Sequence, residues 1–195
     1  MRGRRLGRGF FESPTEELAR ELVGRVLVRR QPEGTLVGRI VETEAYLAEG
    51  DPASHSHRGP TPRNRSMFGR PGTAYVYLIY GMHHCLNVVS AEAGRGEAVL
   101  IRALEPLEGL EAMRRRRGGV RDRDLCRGPG RLAQALGLTR EHDGVDLCRG
   151  DLGIWSGGEE RPELRATPRI GIRQAAELPL RFLIPECSWV SGPRS

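Results

Sequence analysis

The chain has 195 residues, 38% hydrophobic and 29% charged. That is enough for one domain burying roughly 70% of its unfolded surface, and too ordinary a balance for wholesale disorder. The formal charge is +6, the pI is near 9.7, and all 31 Lys+Arg positions are arginine. Without lysine there is no Schiff-base, P-loop or kinase lysine. Arginine grips phosphate as a bidentate fork, so an anionic partner is expected, nucleic acid ahead of membrane, although arginine replacing lysine through genome composition would give the same surface charge. No apolar run approaches a bilayer span and the charged start lacks an apolar segment, so cytosolic residence without a secretory signal is expected. Cys85, Cys126, Cys148 and Cys187 form no CxxC pair, which argues against a zinc site or a disulfide framework.

In chain order, residues 1–12 read as a basic tail that frays and can add phosphate contacts, ahead of a domain over 13–195. Ser13-Pro14-Thr15-Glu16 reads as an N-cap, a proline at the first helical position and a capping-box Glu, predicting a helix over 14–23 with Leu18 and Leu22 buried. Two β-branched runs, 25–30 and 36–45, flank Gln31-Pro32-Glu33-Gly34 and read as a hairpin that puts Glu42 and Glu44 on one face. Residues 47–72 are rich in Gly, Pro, Ser, Asp and Arg without a period, and so long an irregular loop points to function. Strands are expected over 74–80, 85–90, 97–103, 169–172 and 180–184, with helices over 106–117 and after Gly128-Pro129-Gly130-Arg131. The first of these helices ends in four arginines that suit its dipole and stops at Gly118; the second opens on backbone N–H groups beside an arginine, which suits a phosphate. Trp155 and Trp189 read as core. The whole is a mostly antiparallel sheet.

Residues 42–87 gather all four tyrosines (Tyr46, Tyr75, Tyr77, Tyr80), four of the five histidines (His55, His57, His83, His84) and the acids Glu42 and Glu44. Aromatic faces, a carboxylate and Arg-rich loops in one window suggest a pocket that stacks a flat ring beside an acid or base. Taken singly, Glu44 reads as a solvated strand carboxylate, the tyrosines as core, Glu42 as half of a structural ion pair, and His83 and His84 as structural or rim residues.

Over EAY (44–46), His55, TPRNRSMFGRPGTAYVYLIYGM (61–82), CLN (85–87) and IRALEPLEGLEAMR (101–114), the chain resembles the alkyladenine, or N-methylpurine, DNA glycosylase family. The resemblance runs from about residue 16 to 189. It implies an α+β fold: a single mixed domain with a curved antiparallel β-sheet core, a protruding β-hairpin and surrounding helices. It also implies a monomeric enzyme of base excision repair that binds duplex DNA in the minor groove, flips damaged purines and cleaves their glycosidic bond, with no cofactor and no metal. Residue by residue, Glu44 resembles the general base for water and Arg102 the partner that orients it. Tyr46, His55 and Tyr77 resemble the walls of the base slot, and Asn87 the group that crowds guanine's amino group. Tyr80 resembles the wedge, flanked by Met82, while Arg63, Arg65, Gly130 and Arg131 resemble backbone contacts. The family has Ser-Lys where this chain has Gly130-Arg131, and the loop after His55 is one residue shorter, so no role passes to His57 or Arg58. With no lysine, the N-terminus is the one primary amine, and a monofunctional enzyme without strand cleavage is expected. A noncatalytic nucleic-acid-binding module needs the basic surface but not Glu44. A metal-dependent hydrolase is the third reading, although His55-x-His57 matches no zincin spacing.

Overall fold

The two β-branched runs near the N-terminus become the spine of the fold. The computed structural model describes residues 3–158 and 161–192. It folds the runs into β1 (Val26–Gln31) and β2 (Gly34–Tyr46), paired antiparallel from Val26↔Arg39 to Gln31↔Gly34. β2 is buried on both faces from Ile40 to Ala45, because it sits mid-sheet. On one side lies β5 (Ala98–Glu108), on the other first β1 and then the short β8 (Arg181–Leu183). The sheet continues through β4 (His83–Val89) to β3 (Ala74–Ile79) at one end and through β1 to β6 (Leu152–Trp155) at the other, and β7 (Arg165–Thr167) pairs with β8. Register shifts at 40–43 in β2 mark a bulge, which adds the twist that curls the sheet.

Four helices surround it: α1 (Arg8–Phe11), α2 (Thr15–Leu22), α3 (Leu110–Arg116) and α4 (Pro129–Leu136). The main core joins Phe11, Leu18, Leu22, Ile40, Ile101 and Phe182. Because strand side chains alternate, β3 sends Val76 into this core and Tyr75 and Tyr77 to the opposite face. There they meet Met67, Cys85 and Leu100 in a second cluster. The architecture is thus one mixed α+β domain on a curled antiparallel sheet, with the β3–β4 hairpin presenting an exposed tip.

Several local expectations need correction. Ser13 does not cap α2; its hydroxyl donates to the carbonyl of Phe10 at 3.3 Å, Pro14 takes the N-cap position, and Glu16 pairs with Arg20 at 2.9 Å. Residues 106–108 extend β5 instead of opening a helix. A register shift between Gly38↔Pro106 and Val37↔Glu108 bulges Leu107 outward and accommodates the missing proline donor. Gly109 then turns the chain at φ 78°, where a Cβ would lie 2.5 Å from Leu36 Cδ2. No strand forms over 169–172; β7 ends at Thr167, and the next residues bend across β2. The four-residue β6 was not foreseen.

The described part of the basic tail is not frayed. Arg5 donates to the carbonyls of Leu147, Arg149, Gly150 and Leu152 and lies 4.9 Å over the Trp155 ring, while Phe11 is fully buried. Met1 and its amine fall outside the described residues. The four arginines of 114–117 are occupied within the fold. Arg114 grips Asp122 through two bonds of 2.7 and 2.8 Å, Arg115 pairs with Glu111, Arg116 reaches Gln31, and Arg117 reaches Gln134.

Candidate active site

Glu44 lies near the C-terminal end of β2, fully buried, and two hydrogen bonds and an ion pair fix its carboxylate. Oε1 accepts from the backbone N–H of Ile170 at 2.8 Å and lies 3.2 Å from Arg102 Nη1; Oε2 accepts from the Tyr46 hydroxyl at 2.9 Å. A carboxylate offers about four lone-pair positions, and on Oε2 only the Tyr46 hydroxyl claims one. Burial pushes the Glu44 pKa upward, against the pull of Arg102, the Ile170 N–H and the Tyr46 hydroxyl. Burial likewise opposes the charge of Arg102, and the carboxylates of Glu44 and Glu42 outweigh it, so its pKa is raised. The result is an ionised guanidinium beside a carboxylate more basic than an ordinary Glu.

In front of this group opens a cavity of about 340 Å³. Tyr46, His55, Tyr77, Asn87 and Arg102 all line it, and Tyr80 stands at its edge. The His55 and Tyr77 rings meet edge-to-face at 4.5 Å, and His55 Nδ1 lies 2.9 Å from the Tyr75 hydroxyl. Burial, and secondarily Arg63, lower the His55 pKa, which keeps the ring neutral. The loop that carries His55 is itself held, since Asn64 donates to the carbonyls of His55 and Gly59. Asn87 is buried and pinned by donation from its Nδ2 to the Tyr75 carbonyl at 3.1 Å.

Tyr80 and Met82 are 82% and 71% exposed at the hairpin tip, although both are large and apolar. Tyr80 and Gly81 have φ 52° and 71°, so a tyrosine is held in the left-handed region, which disfavours side chains. Arg63 braces this hairpin by donating from Nη2 to the Leu78 carbonyl at 2.9 Å while remaining exposed. Arg65 is exposed and has no partner among the described residues. Arg131 is exposed with its nearest carboxylate, Asp124, at 3.7 Å. Gly130 packs under the hairpin base, where a Cβ would come within 3.1 Å of the His83 Cβ and Cγ. Pro129 beside it lines the cavity.

Three parts of the site were missed in the sequence. Ile170, Gly171 and Ile172 close one wall of the cavity. Asp51 and Arg169, both fully buried, form a two-point ion pair of 2.6 and 2.7 Å that anchors that wall and lays the guanidinium 4.6 Å from the Tyr46 ring centroid. Tyr75 orients His55. Only Tyr75 had a local signal, its two-residue spacing from Tyr77; Asp51 and Arg169 lie 118 positions apart. Glu42 is the expected ion pair, held by Arg102 at 3.0 Å and Arg181 at 2.6 Å. Among the described residues no three His, Cys, Asp or Glu side chains converge as a metal site, the four cysteines are free, and no helix is long and apolar enough to cross a membrane.

The sequence pattern of the methylpurine-DNA glycosylase family matches residues 9–188. A Mesorhizobium japonicum protein with the provisional name 3-methyladenine DNA glycosylase is 53% identical over 191 residues, covering 97% of this chain and 91% of its own. A Rubrobacter xylanophilus protein with the same provisional name is 57% identical over 84% of this chain and 85% of its own. The human DNA-3-methyladenine glycosylase is 50% identical over 205 residues, covering 96% of this chain and 68% of the human one. With an aromatic cavity, a buried carboxylate behind it and an exposed tyrosine at its edge already in place, this match over nearly the whole length means that the chain belongs to the methylpurine-DNA glycosylase family and is a DNA glycosylase, a hydrolase of DNA repair.

Proposed function

We propose that this glycosylase acts as a monomer on duplex DNA, taking an extruded alkylated or deaminated purine into the cavity. 3-Methyladenine, 7-methylguanine, hypoxanthine and ethenoadenine are its substrate class. A water activated by Glu44 attacks the sugar carbon, and an abasic site remains on an unbroken strand. The observation that carries this reading is the Glu44 carboxylate, held by two hydrogen bonds and the Arg102 ion pair at the back of an aromatic slot, with room left on Oε2 for a further donor.

The chemistry follows from charge. As the bond to the purine lengthens, positive charge grows on the sugar; a preorganised carboxylate stabilises it and takes the proton of the incoming water. Arg102 keeps Glu44 aimed. Tyr46 and Tyr77 stack the base, each aromatic contact contributing roughly 1–3 kcal/mol against the cost of extrusion. When the Tyr75 hydroxyl donates to Nδ1, the neutral His55 carries its proton on Nε2, a donor to the purine edge. Pinned Asn87 crowds the exocyclic amino group of an unmodified guanine. Tyr80 and Met82 enter the minor groove and fill the vacated stack. Arg65, Arg131 and the backbone at Gly130 contact phosphates, with Arg63 holding the hairpin between them. No lysine is present to form a Schiff base with the abasic sugar, so the strand stays intact.

Single-turnover release of hypoxanthine from an inosine-containing duplex tests this, comparing wild type with Glu44→Gln in the presence of chelator. The wild type should release the base and the variant should be slower by about 10²–10⁴, with both binding the duplex alike. A variant that keeps its rate would remove Glu44 from the chemistry. Binding without release by either protein, on inosine and on methylated duplexes, would favour a noncatalytic module.

A further inference from the structure

Arg102 does not serve Glu44 alone. Its three nitrogens are spread over three partners: Nη1 lies 3.2 Å from Glu44, Nε donates to Glu42 Oε1 at 3.0 Å, and Nη2 donates to the Ser191 hydroxyl at 3.1 Å. Glu42, fully buried, draws further donors to the same carboxylate. Arg181 Nε reaches Oε1 at 2.6 Å, the Ser191 hydroxyl reaches Oε1 at 2.9 Å, and the Ser191 backbone N–H reaches Oε2 at 2.7 Å. Arg181 also donates to the Ser191 carbonyl and to Thr167 Oγ1. Two carboxylates and two guanidiniums thus form one buried, formally neutral chain in the order Arg181, Glu42, Arg102, Glu44.

We infer that Glu42 is a positioning residue for the reaction: by drawing on the charge and orientation of Arg102, it sets how strongly that guanidinium holds Glu44, and hence how readily Glu44 takes a proton from water. The inference rests on the reading of Glu44 as the base. A guanidinium shared between two carboxylates neutralises each less than it would neutralise one. Were Arg102 given wholly to Glu44, that carboxylate would be a weaker base; were it drawn wholly to Glu42, Glu44 would sit buried with a hydroxyl and an N–H alone. Arg181, which stands opposite Glu44 in the β2–β8 register and reaches diagonally to Glu42, sets the balance, since its charge satisfies Glu42 and leaves Arg102 free to reach forward. The groups facing Glu44 are Arg102 and Glu42, Arg181 across the β2–β8 pair, the Tyr46 hydroxyl and the Ile170 N–H, with Arg169 beyond the Tyr46 ring and the Cys85 thiol on β4.

The test is the pH dependence of single-turnover base release in Glu42→Gln and Arg181→Gln, with wild type and Glu44→Gln alongside. Base release requires ionised Glu44, so the acid limb of the profile follows its pKa. Glu42→Gln removes a negative charge and returns Arg102 to Glu44, so the limb moves to lower pH by about half a unit or more. The plateau rate falls by up to about threefold for each half unit because the base is weaker. Arg181→Gln removes a positive charge and lets Glu42 pull Arg102 back, so the limb moves to higher pH. Duplex affinity stays within about threefold in both. Loss of stability alone cannot move the limb in two opposite directions. If Glu42→Gln fails to fold, Glu42→Asp decides: it keeps the charge but withdraws the carboxylate from Arg102, so the limb again moves to lower pH. Unmoved limbs in both variants, with Glu44→Gln inactive, would overturn the inference and leave the base assignment standing. An active Glu44→Gln would overturn the assignment itself.

Discussion

Tyr46 carries two duties on one side chain, and they can be separated. Its ring lines the cavity under Arg169, while its hydroxyl donates to Glu44 Oε2 at 2.9 Å. Burial, and then the Glu44 carboxylate, push the phenol well above its ordinary pKa, so it remains a donor across the working range. That donation favours ionised Glu44, whose pKa burial has already raised. Tyr46→Phe keeps the ring and removes the donor, so the Glu44 pKa rises further. Because the base must be ionised, the acid limb of the rate profile shifts to higher pH. Near pH 6 the variant should therefore be several-fold slower than wild type, and the gap should narrow toward pH 9. A constant ratio across that range would show that the hydroxyl acts on the bound purine and not on Glu44.

The β3–β4 hairpin shows how an element trades stability for use. Tyr80 sits at φ 52° and 82% exposed, so the ring gains little from its own fold while the backbone bears a left-handed residue at a cost of about 1–2 kcal/mol. Tyr80→Gly should relieve part of this, raising Tm by about 1–4 °C for a chain of this size, yet slow base release at least about tenfold, since nothing fills the vacated stack. Tyr80→Ala should slow release equally without the gain in Tm. A drop in Tm on Tyr80→Gly would mean that the ring packs on the protein instead of waiting for DNA. This hairpin was legible in the sequence because its pattern is local: Tyr75 and Tyr77 alternate with Val76, and Gly81 marks the turn. The same holds for β1–β2, where alternation put Glu42 and Glu44 on one face. The wall at 169–172 was misread as a strand because its backbone bonds are not local. The Ile170 N–H goes to Glu44, 126 positions away, and the Arg169 guanidinium to Asp51. Likewise Pro106 reads as a helix start until the bulge opposite Val37 and Gly38 extends β5 past it.

At the scale of the whole molecule, net charge says less than its division. Of the arginines that make the chain +6, one group is consumed by the fold: Arg102, Arg169 and Arg181 inside it, and Arg114, Arg116 and Arg117 bracing α3 against its neighbours. A second group remains for an anionic partner. Arg65 stands exposed beside the hairpin with no partner among the described residues, and Arg131 opens α4 under its base. Duplex binding should separate the two. Each phosphate contact releases counterions, so the logarithm of affinity falls with the logarithm of salt by about 0.9 per contact. Arg65→Ala and Arg131→Ala should each flatten that slope by about one contact and weaken binding to damaged and undamaged duplexes alike. Arg114→Ala, which breaks the pair with Asp122, should leave the slope unchanged. If instead Arg114→Ala flattened it and Arg65→Ala did not, the DNA would lie across α3 and the cavity would not face the duplex.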